Sequence, residues 1–206
     1  MPFKHPCFIS YVRGQHDLIR GFLTQLTKAL SSSLEPYFDE GPYFDQELQA
    51  GEYFDQKLAD AICRSVCMIV IYYPKYGLHE YCLREFEAMK SLEKDRLPLL
   101  GATGNGRGLI IPILLRGKVD DLPEEIRNHI HCCDFSKFTT ATGDISKDPE
   151  YVARIERIAT YIDELRKDFA ALNQNLCDDC HTFRLPDPKT ITPWQPGGSK
   201  PPPFPG

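Results

Sequence analysis

The sequence predicts an α/β fold in which helices cover both faces of a central parallel sheet. Short apolar runs of strand type alternate along the chain with segments whose apolar residues recur at helical spacing. Strands separated by such helices pair in parallel, because each helix returns the chain to the edge from which the next strand starts. Residues 66–73 are apolar throughout, which indicates a strand buried on both faces.

The amino-terminal half is predicted to contain the first strand, two helices and two candidates for a second strand. The first strand covers residues 7–12, and the second is expected at residues 34–38 or 43–44. Each helix is predicted from an apolar stripe, namely Leu18, Phe22, Leu26 and Leu30 in one and Phe54, Leu58, Ala61 and Ile62 in the other.

The carboxyl-terminal half is predicted to alternate three further strands with helices. Strands are expected at residues 66–73, 109–115 and 131–135, and helices at about 79–93 and 149–172, with a short helix or turn at 122–130. Pro112 favours an edge position or a bulge for its strand, because proline lacks the N–H that a ladder uses. We therefore expect five strands in all.

Two regions are predicted, a folded domain over residues 1–172 and a Cys- and Pro-rich tail over residues 173–206. Eight of the 21 residues from 186 to 206 are proline, a composition that disfavours helices and central strands. The end of the chain is therefore expected to be an extended tail.

Charge and composition exclude several function classes. The net charge of -5 and the pI of about 5.7 argue against a nucleic-acid binder, which would carry a basic patch. No apolar run reaches the roughly 18 residues of a membrane span. The first strand begins almost at once and leaves no room for a signal peptide, so we expect a cytoplasmic protein without a membrane partner.

The eight cysteines are expected to be mostly reduced in that compartment. Cys177, Cys180 and His181 form a Cys-x-x-Cys-His string, which could attach haem, contribute to a zinc site or form a redox-sensitive pair. A plain polar tail is the simpler interpretation, because zinc would need a further ligand from a distant set: His129, His131, Cys132 or Cys133. Residues 101–108 contain three alternating glycines but do not open a helix after a strand, so they indicate a connection.

Four motifs in order resemble the Toll/interleukin-1 receptor (TIR) domain. Residues 8–13, Phe-Ile-Ser-Tyr-Val-Arg, resemble its first box, and residues 43–51 resemble its second strand and BB loop. Residues 58–73 resemble the helix, serine and third strand. Residues 81–86, Tyr-Cys-Leu-Arg-Glu-Phe, resemble the tryptophan-cysteine-x-x-glutamate box, with Tyr81 in place of tryptophan.

The resemblance covers about residues 6–135 and implies a flavodoxin-like three-layer fold with a central parallel five-stranded sheet. It is to standalone bacterial TIR proteins in particular, including the NAD-cleaving ones of Thoeris-like antiphage defence. It implies an NAD+ nucleosidase or ADP-ribosyl cyclase-like enzyme that produces an ADP-ribose-derived signal or depletes NAD in bacterial antiviral immunity. NAD+ would be the substrate, with no separate cofactor and no metal.

The resemblance assigns the catalytic role to Glu85. A carboxylate beside the ribose stabilises the oxocarbenium character that develops when the bond to nicotinamide breaks. Glu87 lies about 200° further around the same helix and is expected on its solvated side. Glu80 precedes the helix and is the less favoured candidate. Substrate contacts are expected from Ser10, Tyr11, Arg13, Asp45, Gly51 and Cys82, with Arg13 as the first choice for phosphate or ribose.

Two other functions remain open at this point. A non-catalytic TIR interaction module would work by TIR–TIR self-association, although it would not need Glu85. A doubly wound phosphoacceptor domain would need an aspartate at the end of the third strand, where this chain has Tyr72, Tyr73 and Pro74. An upstream activator and a downstream nucleotide-sensing effector are further partners that the resemblance implies.

Overall fold

A layer of helices on each side of a parallel sheet forms the domain. The computed structural model describes residues 3–13, 17–44, 52–119, 122–127, 133–140 and 143–194. Within these ranges the sheet has four strands, in the order β1 His5–Ser10, β2 Ser65–Tyr72, β3 Ile110–Leu114 and β4 Cys133–Asp134, all parallel. The helices are α1 Asp17–Leu34, α2 Glu52–Cys63, α3 Glu80–Arg96, α4 Glu124–Arg127 and α5 Pro149–Ala170.

Strands β1 and β2 form much of the core. Every residue of β1 and of β2 is buried, as the apolar run at residues 66–73 predicts. Helix α1 packs against α5 and α2 packs against α3, and these pairs also contact the sheet. The predicted three-layer α/β fold is therefore confirmed.

The predicted number of strands is wrong, because the sheet has four strands rather than five. Residues 34–38 form no strand, since Leu34 ends α1 and a turn follows. Tyr43 makes a single parallel bridge to Phe8. The Tyr43 N–H donates to the Cys7 carbonyl, and the Ile9 N–H donates to the Tyr43 carbonyl. The second strand is thus reduced to one residue pair on the outer side of β1.

Pro112 lies inside the sheet rather than at its edge, because β3 has β2 on one side and β4 on the other. The Met68 N–H donates to the Leu109 carbonyl, and the Leu115 N–H donates to the Tyr72 carbonyl. Odd-numbered residues of β3 therefore bond to β2, and Pro112 faces the side of β4. Pairing with β4 begins only at Ile113, so the missing N–H of Pro112 interrupts no ladder bond.

The chain after α5 folds back onto the domain as far as the structure describes it. Cys177, Cys180, Leu185 and Trp194 are buried against the core. This differs from the extended tail that the proline content predicts, because prolines at intervals of several residues still permit an extended segment to lie along a helix surface. The boundary at residue 172 remains a prediction.

A disulfide joins Cys63, the last residue of α2, to Cys180 in the folded-back segment. The free cysteines in the described part of the chain are Cys7, Cys67, Cys82, Cys133 and Cys177. Cys63 and Cys180 are therefore exceptions to the expectation that the cysteines are mostly reduced. The reason is long-range packing, which brings together two residues separated by 117 positions.

No helix in the described ranges combines the length and the apolar character that crossing a membrane requires.

Candidate functional site

The site lies at the carboxyl-terminal edge of the sheet, where the chain leaves β1 and β2 in opposite directions. The connection after β1 leads outward to Tyr43, whereas the connection after β2 leads through α3 to β3. In open α/β sheets ligands bind at such a switch point, because diverging connections leave a crevice between the strand ends. Ser10 ends β1 at this point, and α3 carries Glu85 into it.

The Glu85 side chain is buried and hydrogen-bonded to the end of β1. It lies on the second turn of α3, and only 6% of its surface is exposed. The Ser10 hydroxyl donates to its Oε2 atom at 2.6 Å. A buried carboxylate needs such donors, because removing a charge from water is costly unless hydrogen bonds replace the solvent.

Tyr76 completes a buried chain of hydroxyl groups behind Glu85. Its hydroxyl oxygen lies 2.7 Å from the Ser10 hydroxyl oxygen and 3.2 Å from the Cys82 carbonyl oxygen. Ser10 has one proton, which Glu85 accepts, so the one Tyr76 proton is shared between the Ser10 oxygen and the Cys82 carbonyl, to which the Tyr76 hydroxyl donates. The proton order therefore runs from Tyr76 to Ser10 to the carboxylate.

The Tyr76 hydroxyl stays protonated throughout the physiological range. Burial raises its pKa well above the usual value, and the neighbouring Cys82 and Glu85 raise it further, while the hydrogen bond with Ser10 acts in the opposite direction. Tyr76 is therefore a neutral hydrogen-bond donor rather than an acid or base at this site.

The Cys82 thiol lies within the electrostatic influence of both Glu85 and Arg13. Burial raises the Cys82 pKa well above its usual value, with a further increase from the Glu85 carboxylate and an opposing decrease from Arg13. The thiol is consequently protonated and is neither a nucleophile nor a metal ligand.

Alternating cations and aromatic rings form one wall beside the carboxylate. The Arg13 guanidinium lies 4.7 Å from the centre of the Phe54 ring, and Phe54 meets Tyr81 edge to face at 5.6 Å. Arg84 lies 5.2 Å from the Tyr81 ring and pairs with Asp55 at 2.6 Å. Arg13 itself is exposed, so an anionic ligand can reach it.

A cavity of about 400 Å³ opens at the same edge of the sheet, on the side of α1. Its lining is largely apolar, with Tyr73 and Pro74 after β2 and Leu115 after β3, and Lys75 and Arg116 stand beside it. This is within the usual size range of small-molecule sites, about 300–1,000 Å³. The Tyr73 hydroxyl also donates to the Val12 carbonyl at 3.4 Å, linking the cavity wall to the end of β1.

The structure brings some of the predicted site residues together and not others. Ser10 contacts Glu85, Cys82 is buried and feels the charges of both Glu85 and Arg13, and Tyr11 is half-buried against the core. Asp45 and Gly51 lie outside the described residues. Which of these residues contact a substrate remains a prediction.

The other two carboxylates near Glu85 point away from this network. Glu87 pairs with Lys90 at 3.5 Å on the half-exposed side of α3, so its predicted place on the solvated side is confirmed. Glu80 is exposed and is the first residue of α3, so the expectation that it precedes the helix is wrong.

Sequence patterns do not identify four of the residues around the site. Tyr76 lies in a single helical turn between β2 and α3, which has no periodicity of its own. Trp194 packs on Tyr76 from the far end of the chain, and the Asp55–Arg84 pair joins two helices. The one available signal is that Trp194 is the only tryptophan and lies in a proline-rich segment.

The zinc and haem hypotheses receive no support from the geometry. Cys180 is in a disulfide and cannot offer a thiolate, and burial raises the pKa of the Cys177 thiol. Among the described residues no group of three or more His, Cys, Asp or Glu side chains could hold a metal ion. His129, His131 and Cys132 lie outside that part of the chain.

The glycine-rich connection at residues 101–108 does not offer a phosphate cradle. Gly101 and Gly106 have positive φ angles of 58° and 74° in the turns between α3 and β3. The Gly108 N–H donates to the Tyr161 hydroxyl, which donates in turn to the Gly108 carbonyl, both at 2.8 Å. The backbone groups of Gly108 are thus already used within the protein.

Comparison with known protein families agrees with this architecture. The family model described as "TIR domain" matches residues 7–146. A solved structure of the TIR domains of the activated Roq1 resistosome, which directly recognises the pathogen effector XopQ, is similar at 19% identity. That similarity covers 85% of this chain and 94% of the other, with a TM-score of 0.40. No curated protein matches the chain. Because the family model spans more than half of the sequence, the chain belongs to the TIR domain family.

Proposed function

We propose that the protein cleaves the bond between nicotinamide and ribose in NAD+, with Glu85 as the catalytic carboxylate. The observation that carries the proposal is the placement of Glu85, a buried carboxylate held by Ser10 at the switch point of the sheet. Membership of the TIR family agrees with this activity. In this proposal Glu85 lies beside the ribose, Arg13 binds the pyrophosphate or ribose hydroxyls, and the cavity holds the remaining part of the dinucleotide.

The chemistry needs a negative charge near the ribose rather than an acid. When the bond between the anomeric carbon and the ring nitrogen breaks, its electron pair moves to the nitrogen and neutralises the pyridinium. Positive charge then develops on the ribose, and a carboxylate at that point stabilises it. Water adds to the anomeric carbon and releases a proton, which yields ADP-ribose; addition of an adenine nitrogen or a ribose hydroxyl yields a cyclic or conjugated product.

Cationic groups near the crevice suit the rest of the substrate. Arg13 can contact the pyrophosphate or ribose hydroxyls through its guanidinium fork. The cavity between the ends of β2 and β3 offers apolar surface beside Lys75 and Arg116, which suits the remaining part of the dinucleotide. We place the activity in bacterial antiviral immunity, as signal production or NAD depletion, in line with the motifs in residues 8–13 and 81–86.

Substitution of Glu85 tests the proposal directly. The purified protein is incubated with NAD+ at high protein concentration, and the products are followed by mass spectrometry. Glu85→Gln should lower nicotinamide release at least 10²–10³-fold, roughly the effect of removing one key stabilising group, while circular dichroism remains unchanged. The mass of the second product distinguishes hydrolysis from cyclisation or conjugation.

Glu87→Gln is the matched control, because it makes the same change two residues away on the half-exposed side of α3. It should retain most of the activity. Full activity of Glu85→Gln, or loss of activity only in Glu87→Gln, would refute the assignment of the catalytic residue.

A second candidate is a TIR interaction module that acts by self-association, and the depth of Glu85 is the observation that favours it. A carboxylate with 6% of its surface exposed and a serine bonded to it resembles a structural polar group. This candidate predicts concentration-dependent assembly without nicotinamide release, and without any effect of Glu85→Gln on assembly. Light scattering beside the NAD+ assay separates the two functions.

A further inference from the structure

The segment after α5 runs across the domain from the amino-terminal ends of the strands to their carboxyl-terminal ends. We refer to residues 173–194 as the strap. Near its start, the Leu176 carbonyl accepts from Arg96 at the end of α3, and Cys180 is bonded to Cys63. These contacts lie at the amino-terminal edge of the sheet, because Cys63 lies two residues before the start of β2.

The strap then passes over α2 and α3 toward the candidate site. Gln56 of α2 donates to the carbonyls of His181 and Phe183, at 3.3 and 3.5 Å. Arg84, which adjoins Glu85 on α3, donates to the Pro186 carbonyl at 2.8 Å. The strap therefore contacts the same helix that carries the candidate catalytic carboxylate.

Trp194 at the end of the strap is buried at the carboxyl-terminal edge of the sheet. Its backbone N–H donates to the Gly77 carbonyl at 2.9 Å. Its ring meets Phe86 edge to face at 4.8 Å and lies 5.5 Å from the ring of Tyr76. Gly77 permits this approach, since a Cβ atom there would lie 3.0 Å from the Trp194 Cβ atom.

Three contacts lead from Trp194 to Glu85. The Trp194 ring packs on the fully buried Tyr76 ring, the Tyr76 hydroxyl bonds to Ser10, and Ser10 donates to the carboxylate. A phenol ring that is held by a packed aromatic neighbour keeps its hydroxyl in place, whereas a loosened ring allows Ser10 to turn away from Glu85. Trp194 does not touch the carboxylate in this series of contacts, and its packing on Phe86 adds a contact with the residue that follows Glu85 on α3.

We propose that the strap is a positioning element for Glu85, with Trp194 and Tyr76 as positioning residues. Its effect on catalysis rests on the function proposed above. The strap fixes the Tyr76 ring, and the ring fixes the proton order that keeps the Ser10 hydrogen bond on the carboxylate. Packing of a distant segment thereby determines the geometry of the candidate catalytic group.

The test combines kinetics with a measurement that needs no activity. Trp194→Ala should lower kcat for NAD+ cleavage roughly 3- to 10-fold with little change in KM, because ground-state binding does not involve the strap. Trp194→Phe retains an aromatic ring on Tyr76 and should restore most of kcat. Lys189→Ala, an exposed position on the strap, is the control and should leave kcat unchanged.

A double-mutant cycle between Trp194→Ala and Ser10→Ala supplies the second measurement. The two residues are linked through Tyr76, so their effects on the urea midpoint of unfolding should be non-additive. Additive effects, or equal kcat values for Trp194→Ala and the wild type, would overturn the proposal. If the protein cleaves no NAD+ at all, the proposed function fails, and the cycle alone decides whether the strap is coupled to Ser10.

Discussion

Ser10 and Ser65 are fully buried serines at opposite ends of two neighbouring strands. Ser10 donates to the Glu85 carboxylate, whereas Ser65 donates to the Ala61 carbonyl at 2.7 Å. A hydrogen bond to a charged group contributes about 1.5–3 kcal/mol, and one between neutral groups about 0.5–1.5 kcal/mol. Removing each serine hydroxyl in turn therefore compares a hydroxyl of the candidate site, Ser10, with an ordinary buried hydroxyl, Ser65.

Ser10→Ala is expected to lower the free energy of unfolding by about 1.5–3 kcal/mol, because Glu85 and Tyr76 each lose a partner. It should also lower NAD+ cleavage, since the carboxylate loses its orientation. Ser65→Ala should cost about 1 kcal/mol and leave cleavage unchanged. Urea denaturation and the nicotinamide assay provide the two measurements, and equal losses of cleavage in both variants would contradict the role of Ser10.

Glycine is required at position 77 because Trp194 packs closely against it, and not because of an unusual backbone angle. Gly77→Ala would bring a Cβ atom to 3.0 Å from the Trp194 Cβ and 3.1 Å from its Cε3 atom. We expect a loss of about 1–3 kcal/mol in the free energy of unfolding, typical of overpacking. In a Trp194→Ala background the same change should cost less, because the clash involving the ring is gone.

Gly21→Ala is the corresponding control, because nothing lies within 4 Å of a Cβ atom at that exposed position of α1. It should stabilise the protein by about 0.5–1 kcal/mol through the helix propensity of alanine. Thermal unfolding of Gly77→Ala, Trp194→Ala, the double variant and Gly21→Ala measures the loss at Gly77 and the gain at Gly21. A stabilising Gly77→Ala would show that the Trp194 contact is looser than described.

At the scale of elements, local patterns predict the parts of the fold that obey a simple period. The burial of β2 follows from its apolar run, and the inner face of α3 follows from the spacing of Cys82, Phe86 and Met89. The second strand fails as a prediction because residues 34–38 are apolar enough for either a strand or a helix end. There the continuation of α1 through Leu34 takes precedence over strand formation.

The strap shows a different limit of sequence reasoning. Its composition indicates an extended segment, but no periodicity reveals that an extended segment packs on α2 and α3. The hydrogen bonds that hold it come from side chains far away in the sequence, such as Arg84 and Arg96.

The covalent anchor of the strap gives a prediction at this scale. Cys180→Ser removes a link across 117 residues of sequence, and loss of such a link typically costs about 2–4 kcal/mol. Thermal unfolding should show this loss, together with greater solvent exposure of Trp194, the only tryptophan, in fluorescence. A reducing agent should bring the wild type to the same state and leave Cys180→Ser unaffected.

Cys177→Ser serves as the control, since it makes the same substitution at a buried free thiol three residues away. It should cost less than Cys180→Ser and should not abolish the response to the reducing agent. An identical response of both variants to reduction would contradict the disulfide.

At the scale of the whole molecule, the candidate site is assembled from segments far apart in the chain. The motifs at residues 8–13 and 81–86 identify Ser10, Arg13 and Glu85, because each lies directly at the end or beginning of a regular element. Tyr76 and Trp194 escape prediction because their importance arises only from packing between the ends of β1, β2 and the strap. Local sequence thus specifies the charged groups, and tertiary structure specifies the residues that hold them.

The disulfide also closes a covalent loop in the chain. Residues 63–180 form a closed ring, with β1 and α1 on one free arm and the rest of the strap on the other. A backbone cut anywhere within the ring, for example in the connection after α3, therefore leaves one covalent molecule until the disulfide is reduced. Glu85 belongs to the ring and Ser10 to the arm, so their hydrogen bond joins two parts whose relative position is set by folding rather than by the ring closure.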